Sequence, residues 1–320
     1  MKYLYVLVGA KKGFYCEQTL VSMLSLKSID PEAYVTLLVD SQTDADFKES
    51  IGKLRKFVSE YIVVPVTENM SPMARSRYIK TSMRKFVNGD FLYVDGDTLW
   101  NAPVCEDDFT HDIMGVLDGH CLLTNHPLKE SIEEDFQKTN CNPHVEKYVN
   151  GGVLYSKDSD VSRSFFENWH NKWRETSSGG CLIDMPALNY AIRCSGESFS
   201  LLPGSYNVQI SRSWRYFMQS KVIHFYTGWQ DEFFESPYLF QKRSFWLGVQ
   251  NNGVDESAMK AICHPLTAFD ESFGVFGLSE MKFRHTALYG FIADLFSKRN
   301  EKMTFNLLEK MIKGIIKFWR

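Results

Sequence analysis

Phe91-Leu92-Tyr93-Val94-Asp95-Gly96-Asp97 decides how this chain folds. Its first four residues form a short run of aromatic and branched side chains, which reads as a buried strand. Side chains two apart on extended backbone point the same way, so Asp95 and Asp97 aim together just past that strand's carboxyl end. In open α/β sheets, ligands sit at that edge. Gly96 between them leaves room for a ligand near the backbone. Two like-charged oxygen donors repel unless a cation joins them, and Mg²⁺ or Mn²⁺ shared with substrate phosphates is the usual solution. An EF-hand loop also starts Asp-x-Asp, but Leu99 stands where an oxygen ligand belongs and Trp100 where glycine is required. A plain acidic turn stays open on these residues alone.

Outward from this stretch, strands and helices alternate. Tyr3–Val8, Tyr34–Val39 and Tyr61–Val66 read as strands; Cys16–Leu26 and the polar Ala45–Glu60 read as helices. Ser71 as cap, Pro72 in the first turn and Asn88-Gly89 as stop mark another helix before Phe91. Such alternation predicts an α/β sheet, mostly parallel, with helices on both faces. Further on, Ile113–Leu117, Cys121–Thr124, Tyr148–Ser156 and Val222–Phe225 are strand candidates. Asp158–Trp173 and Asp184–Arg193 are helix candidates, and Lys129–His144 reads as a polar loop or lid. From about Trp229 the chain turns helix-rich and aromatic. The expected division is therefore 1–230 for a catalytic domain and 231–320 for a helical extension.

Composition narrows the function classes. With 320 residues, 44% hydrophobic, and a net charge of −3, the chain has material for a large core and no bulk attraction for nucleic acid. Seven cysteines without a C-x-x-C pair make neither a zinc framework nor an evident disulfide scaffold, which fits a reducing, cytosolic setting. Tyr3–Ala10 is too short, and too soon followed by Lys11-Lys12, to be a signal peptide. No apolar run reaches transmembrane length.

Several constellations could carry chemistry. Arg77, Lys80 and Arg84 recur at helical spacing as one basic face, either solvated or turned to a phosphate or the carboxylate pair. Asn150-Gly151-Gly152 interrupts a strand, which marks a bulge or a close ligand approach. His224 ends an apolar run as Asp95 does, and imidazole suits a divalent transition metal beside carboxylates. Asp40, ending the second strand, imitates the ribose-binding acid of a dinucleotide fold. The absence of G-x-G-x-x-G makes a nicotinamide dehydrogenase a formal competitor only.

In this order and spacing, the strand-one loop, Ser76-Arg77-Tyr78, Asp95-Gly96-Asp97, Asn150-Gly151-Gly152, Asp184-Met185-Pro186-Ala187-Leu188-Asn189 and His224 with Gly228 resemble a GT-A glycosyltransferase. The likeness is nearest to family 8 and its bacterial lipopolysaccharide galactosyl- and glucosyltransferases, and covers roughly residues 1–228. The resemblance implies a Rossmann-like mixed sheet and transfer of a hexose from a UDP-sugar, with retention of configuration. Mn²⁺ (or Mg²⁺) would be held by Asp95, Asp97 and His224. Val8, Gly9, Ala10, Tyr15 and Asp40 would border the nucleoside. Arg77, Asn150 and Asp184 would contact the donor sugar, with Asp184 as the carboxylate nearest the chemistry. Asp118, Gly96, Gly151 and Gly228 would complete the donor site. Two departures stand out: the family usually has Asp-Gln where this chain has Asp184-Met185, and a His-x-x-Gly, Lys-Pro-Trp motif where this chain has His224-Phe225-Tyr226-Thr227-Gly228. Lys221 is a candidate replacement for the missing lysine. A non-catalytic nucleotide-sugar-binding or scaffold protein of the same fold is the alternative, and a sugar-nucleotide hydrolase a further one.

Residues 302–320 add a last expectation. Asn306, Lys310, Lys313, Lys317 and Arg320 form a polar, cationic stripe opposite Leu308, Met311, Ile312, Ile315 and Trp319. Such a helix fits the interface of an anionic membrane, or the protein's own core. With the resemblance, it implies peripheral attachment at the inner face of the cytoplasmic membrane and a lipid-linked or oligosaccharide acceptor.

Overall fold

The structure, a computed structural model, describes residues 1–10, 13–67, 69–141, 145–226, 236–269, 278–284, 286–290, 310 and 313–314. In chain order its elements begin with β1 (Lys2–Leu7), α1 (Tyr15–Ile29), β2 (Tyr34–Asp40), α2 (Ser41–Asp46), α3 (Lys48–Leu54), β3 (Glu60–Val64) and α4 (Pro72–Ser82). Then come β4 (Phe91–Val94), β5 (Thr98–Trp100), β6 (Ile113–Leu117), α5 (Lys129–Lys138), β7 (Val149–Ser156), α6 (Asp160–Ser178) and α7 (Met185–Ser195). The remainder are β8 (Phe199–Leu201), β9 (Val208–Gln209), β10 (Val222–His224), α8 (Arg243–Asn252), α9 (Glu256–Cys263) and α10 (Leu278–Arg284).

Seven strands form the main sheet in the order β3-β2-β1-β4-β7-β6-β8, and a small second sheet runs β5-β10-β9. β1 through β4 are parallel to one another, and β7 lies antiparallel to both β4 and β6. The sheet is therefore mixed. Strands buried on both faces are near-continuous apolar runs, as Phe91–Val94 is. Met23, Leu26, Ile51 and Leu54 of α1 and α3 fill one face; Ile79, Phe165, Trp169 and Leu188 of α4, α6 and α7 fill the other. Val249 and Ile262, from α8 and α9, share a third apolar cluster with Val21, Leu99 and Ile223. No helix among the described residues is long and apolar enough to cross a membrane.

Three expectations give way. Cys121–Thr124 is not a strand; Leu123–Asn125 makes a tight helical turn instead. Lys129–His144 is not a plain loop, because Ile132 and Phe136, four apart, let a polar stretch dock as α5 beside Tyr148. Ala45–Glu60 splits at Phe47 into two short helices and a turn. Gly228 and nearly all of 302–320 lie outside the described residues.

Candidate active site

The site stands at the carboxyl end of β4, where the two sheets meet. Asp95 donates its backbone N–H to the carbonyl of Gly152 on β7, 2.8 Å away, and Thr98 Oγ1 closes the turn onto the Asp95 carbonyl at 2.8 Å. β5 leaves at once and pairs antiparallel with β10, setting Thr98 opposite His224. That register brings the imidazole beside Asp97: Nε2 lies 3.2 Å from Asp97 Oδ1. Ligand atoms of Asp95, Asp97 and His224 all fall within 4.8 Å of one another, and no other such cluster occurs among the described residues.

The protonation of His224 can be worked out from its neighbours. A carboxylate only accepts, so Asn150 must turn its Nδ2 toward Asp118 Oδ1, 2.8 Å away. Its Oδ1 then receives Gly152 N–H at 2.8 Å and Asn207 Nδ2 at 2.9 Å. Asn207 Oδ1 is left to face His224 Nδ1 at 3.1 Å, so a ring proton sits on Nδ1. Nε2 faces the Asp97 carboxylate, which only accepts, so it carries a proton there as well; giving up that proton would let Nε2 ligate a metal while Nδ1–H stays on Asn207. Tyr226 stacks on the imidazole, with ring centroids 4.0 Å apart, and its hydroxyl accepts from Asn150 at 2.7 Å. The donor chemistry fits a divalent ion.

Charge at the centre is balanced from α4. Lys80 Nζ lies 2.9 and 3.1 Å from the two oxygens of Asp95, and the Tyr93 hydroxyl donates to Oδ1. Burial works against the charged form of Asp95, but Lys80, His224 and Tyr93 outweigh it and hold the carboxyl below its ordinary value. Burial likewise opposes charge on His224, yet Asp97 and Asp95 prevail and raise it. One turn earlier, Arg77 Nε is 2.9 Å from Asp184 Oδ1. Asp184, against which burial leaves little solvent, also holds Trp169 Nε1 on its carbonyl at 3.2 Å.

Of the basic face, Lys80 is buried, while Arg77 keeps a third of its side chain in solvent. Arg84 is buried; it reaches the carbonyls of Val87 and Gly89 at 3.2 and 2.8 Å and Ser156 Oγ at 2.8 Å, away from the carboxylate pair. Asp40 is closed to a ribose: it is fully buried, caps α2 through Gln42 and Thr43, and lies 2.9 Å from Arg75 Nε. Lys221 offers nothing to the centre, because its ammonium is 3.0 Å from both Asp108 Oδ2 and the Tyr206 hydroxyl at the far end of β10. The space a Cβ on Gly96 would fill belongs to Thr19, whose Oγ1 would be 2.5 Å away, so this glycine serves packing on α1 rather than a ligand.

Gly151 and Gly152 sit in a bulge, since the β6–β7 register jumps between Gly115 and Val116. A Cβ on Gly152 would stand 2.3 Å from His224 Cε1, so the imidazole occupies the missing side chain's place. Met185 Sδ accepts the Gly151 N–H at 3.2 Å. Gly9, Ala10 and Tyr15 border a cavity of about 270 Å³ with Cys16, Leu20 and Phe47, whereas Val8 is buried against the core. Asp118 joins the centre only through Asn150, and His126 Nε2 lies 2.9 Å from its other oxygen. Burial disfavours its charge, but His126, Arg212 and Asn150 hold the carboxyl below its usual range. Tyr93, Asn207 and Tyr226 are the site residues that sequence reasoning passed over, whereas Lys80 belongs to the basic face read as able to turn to the carboxylate pair.

No family model matches the chain, and no curated protein does. Solved structures do. The galactosyltransferase LgtC, in complex with donor and acceptor sugar analogues, has a TM-score of 0.51 and 14% identity over 85% of this chain and 98% of its own. An active-site variant of LgtC, glutamine replaced by glutamate, scores 0.51 at 14% identity over 88% and 100%. The fold is GT-A. The glycosyltransferase GlyE of Streptococcus pneumoniae TIGR4 has it too, with a TM-score of 0.50 at 14% identity over 86% of this chain and 66% of that one. The GT-A mixed sheet expected from the sequence is thus present, with β4 delivering its two acids where the fold opens.

Proposed function

We propose that this chain is a metal-dependent glycosyltransferase moving a hexose from a UDP-sugar to a cell-surface glycan acceptor of lipopolysaccharide or capsule type, with retention of configuration. The observation that carries the reading is the meeting of Asp95, Asp97 and His224, its ring oriented by Asn207, at the strand ends of a GT-A fold. Asp95, Asp97 and His224 would hold Mn²⁺ or Mg²⁺, which when bound stabilises negative charge on a departing diphosphate. The chain supplies the rest. Arg77 on α4 and Asp184 just before α7, fixed 2.9 Å apart, offer the donor hexose one cation and one carboxylate in a set geometry. Asp184 is the group that can stabilise positive character growing on the sugar ring. The bulge at Gly151 brings backbone close to the same point, and the cavity beside Gly9, Ala10 and Tyr15 would take the nucleoside.

Asp97→Ala is expected to cut transfer at least about a hundredfold, the scale on which one positioned charge matters to a transition state, while thermal stability holds. Full turnover of UDP-hexoses by Asp97→Ala, or by the native chain in EDTA, would remove the metal role. A second reading has one observation behind it: Met185 gives a thioether where the family resemblance calls for a glutamine. Tight UDP-sugar binding without hydrolysis or transfer would favour that non-catalytic reading.

Peripheral attachment to the inner face of the cytoplasmic membrane belongs to the same proposal and rests on the stripe of Lys310, Lys313, Lys317 and Arg320. Full-length protein is expected to sediment with anionic vesicles and a chain ending near Asn300 to stay in solution; equal binding by both would refute it.

A further inference from the structure

We propose that Lys80 is a resident counter-ion of the metal centre, which weakens the hold of the free protein on a divalent cation and makes that cation's binding depend on a diphosphate arriving with it. The inference rests on the metal reading above but concerns a residue outside the ligand set. Its ground is geometric. Lys80 projects from α4, buried, with its ammonium straddling both oxygens of Asp95 at 2.9 and 3.1 Å. Oδ1 also receives the Tyr93 hydroxyl. A carboxylate has about four lone-pair sites, so Asp95 has one left, on Oδ2.

Charge leads to the same place. With a neutral imidazole, two carboxylates offer a divalent ion two negative charges; the fixed ammonium cancels one of them. Where solvent is scarce, a like charge a few ångströms away is strongly repulsive. Lys80 has little room to withdraw. Its side chain is buried, and its ammonium is 5.2 Å from the centre of the Tyr93 ring. A diphosphate brings the negative charge that the ammonium has neutralised, so cation and diphosphate bind best together. Lys80 also offers that diphosphate a positive neighbour before any metal is present. Arg75, five residues earlier on the same helix, shows what a purely structural pairing looks like: its acid, Asp40, is sealed from solvent, whereas Asp95 remains a quarter exposed.

The test is a Mn²⁺ titration of the full chain, read by the electron paramagnetic resonance of free Mn²⁺, with and without UDP. In the native protein, UDP is expected to tighten Mn²⁺ binding at least tenfold. In Lys80→Met, and in Lys80→Gln, which keeps a donor toward Asp95, Mn²⁺ alone is expected to bind at least tenfold tighter than in the native chain. The added gain from UDP should shrink. A merely structural lysine would leave Mn²⁺ affinity unchanged or lower in both variants, and either result overturns the proposal. Mn²⁺ binding by no form, with or without UDP, would instead bring down the metal reading itself. If both variants fail to fold, lysine ¹⁵N resonance on the native chain decides: the Lys80 ammonium signal should shift when Mg²⁺ and UDP are added together. A signal that stays in place overturns the proposal.

Discussion

Two acids end two parallel strands, and α4 gives each a cation, yet the pairs differ in kind. At the end of β2, Asp40 meets Arg75, accepts two backbone N–H groups of α2, and sees no solvent. At the end of β4, Asp95 meets Lys80, but its carboxylate is a quarter exposed and shares its surroundings with Asp97 and His224. The first pair is complete. The second carries one acid more than its fixed cation can satisfy, which is the condition for binding something positive. Similar chemistry at similar sheet positions thus serves structure in one place and a ligand in the other, and what separates them is how many acids face each base.

The largest effect expected from breaking this comparison is on stability at the closed pair. Arg75→Met strands the Asp40 carboxylate in the interior, and removing one partner of a buried pair costs about 3–5 kcal/mol. Urea unfolding should show the loss directly, with UDP-sugar or Mn²⁺ doing little to restore it. Lys80→Met should cost less than half as much, because Asp95 retains solvent and Tyr93, and Mn²⁺ should recover part of the loss. Equal losses at the two lysine and arginine positions, both indifferent to Mn²⁺, would erase the distinction.

The legible parts of the molecule are those fixed by near neighbours in sequence. Phe91–Val94 is a strand because four apolar residues can do little else between a glycine turn and two acids, and the i, i+2 rule then places Asp95 and Asp97 together. His224 was legible as a polar residue ending an apolar run. Its company was not, because the antiparallel pairing of Thr98 with His224 joins three-residue strands too short to show a period. The basic face stayed undecided between solvent and the carboxylate pair for a related reason. Helical spacing tells which residues share a face but not what that face meets; α4 packs on the sheet and α6, and Arg77, Lys80 and Arg84 just past the helix each take their own acid or carbonyl. Asp40 misled because an acid at a strand end looks the same whether it awaits a ribose or caps the next helix. Asn207 was invisible: nothing in Tyr206-Asn207-Val208 says that its amide transmits the orientation demanded by Asp118, across Asn150, to the imidazole.

A smaller effect tests the polar contact between α6 and the helix that carries both cations. Behind it, on α6, His170 Nδ1 lies 2.8 Å from Thr81 Oγ1, and the ring meets Tyr78 edge-on at 5.1 Å. Burial, with Lys85 and Arg174 nearby, pushes this imidazole down to about 4. Unfolded, it would titrate near 6.5. Its neutral form is favoured by folding, so its contribution is complete above about pH 6.5. Below that, the unfolded chain takes up a proton that the folded chain refuses, and stability drains away as pH falls toward 4, by up to about 3 kcal/mol. His170→Gln keeps a hydrogen-bonding partner for Thr81 but cannot titrate. Urea unfolding at pH 7 and pH 4.5 should therefore show a smaller acid loss in the variant than in the native chain, whereas His120, also pushed down to about 4 by burial, contributes equally to both. If the two proteins lose the same stability across that interval, His170 is not held as a neutral imidazole against Thr81 of α4.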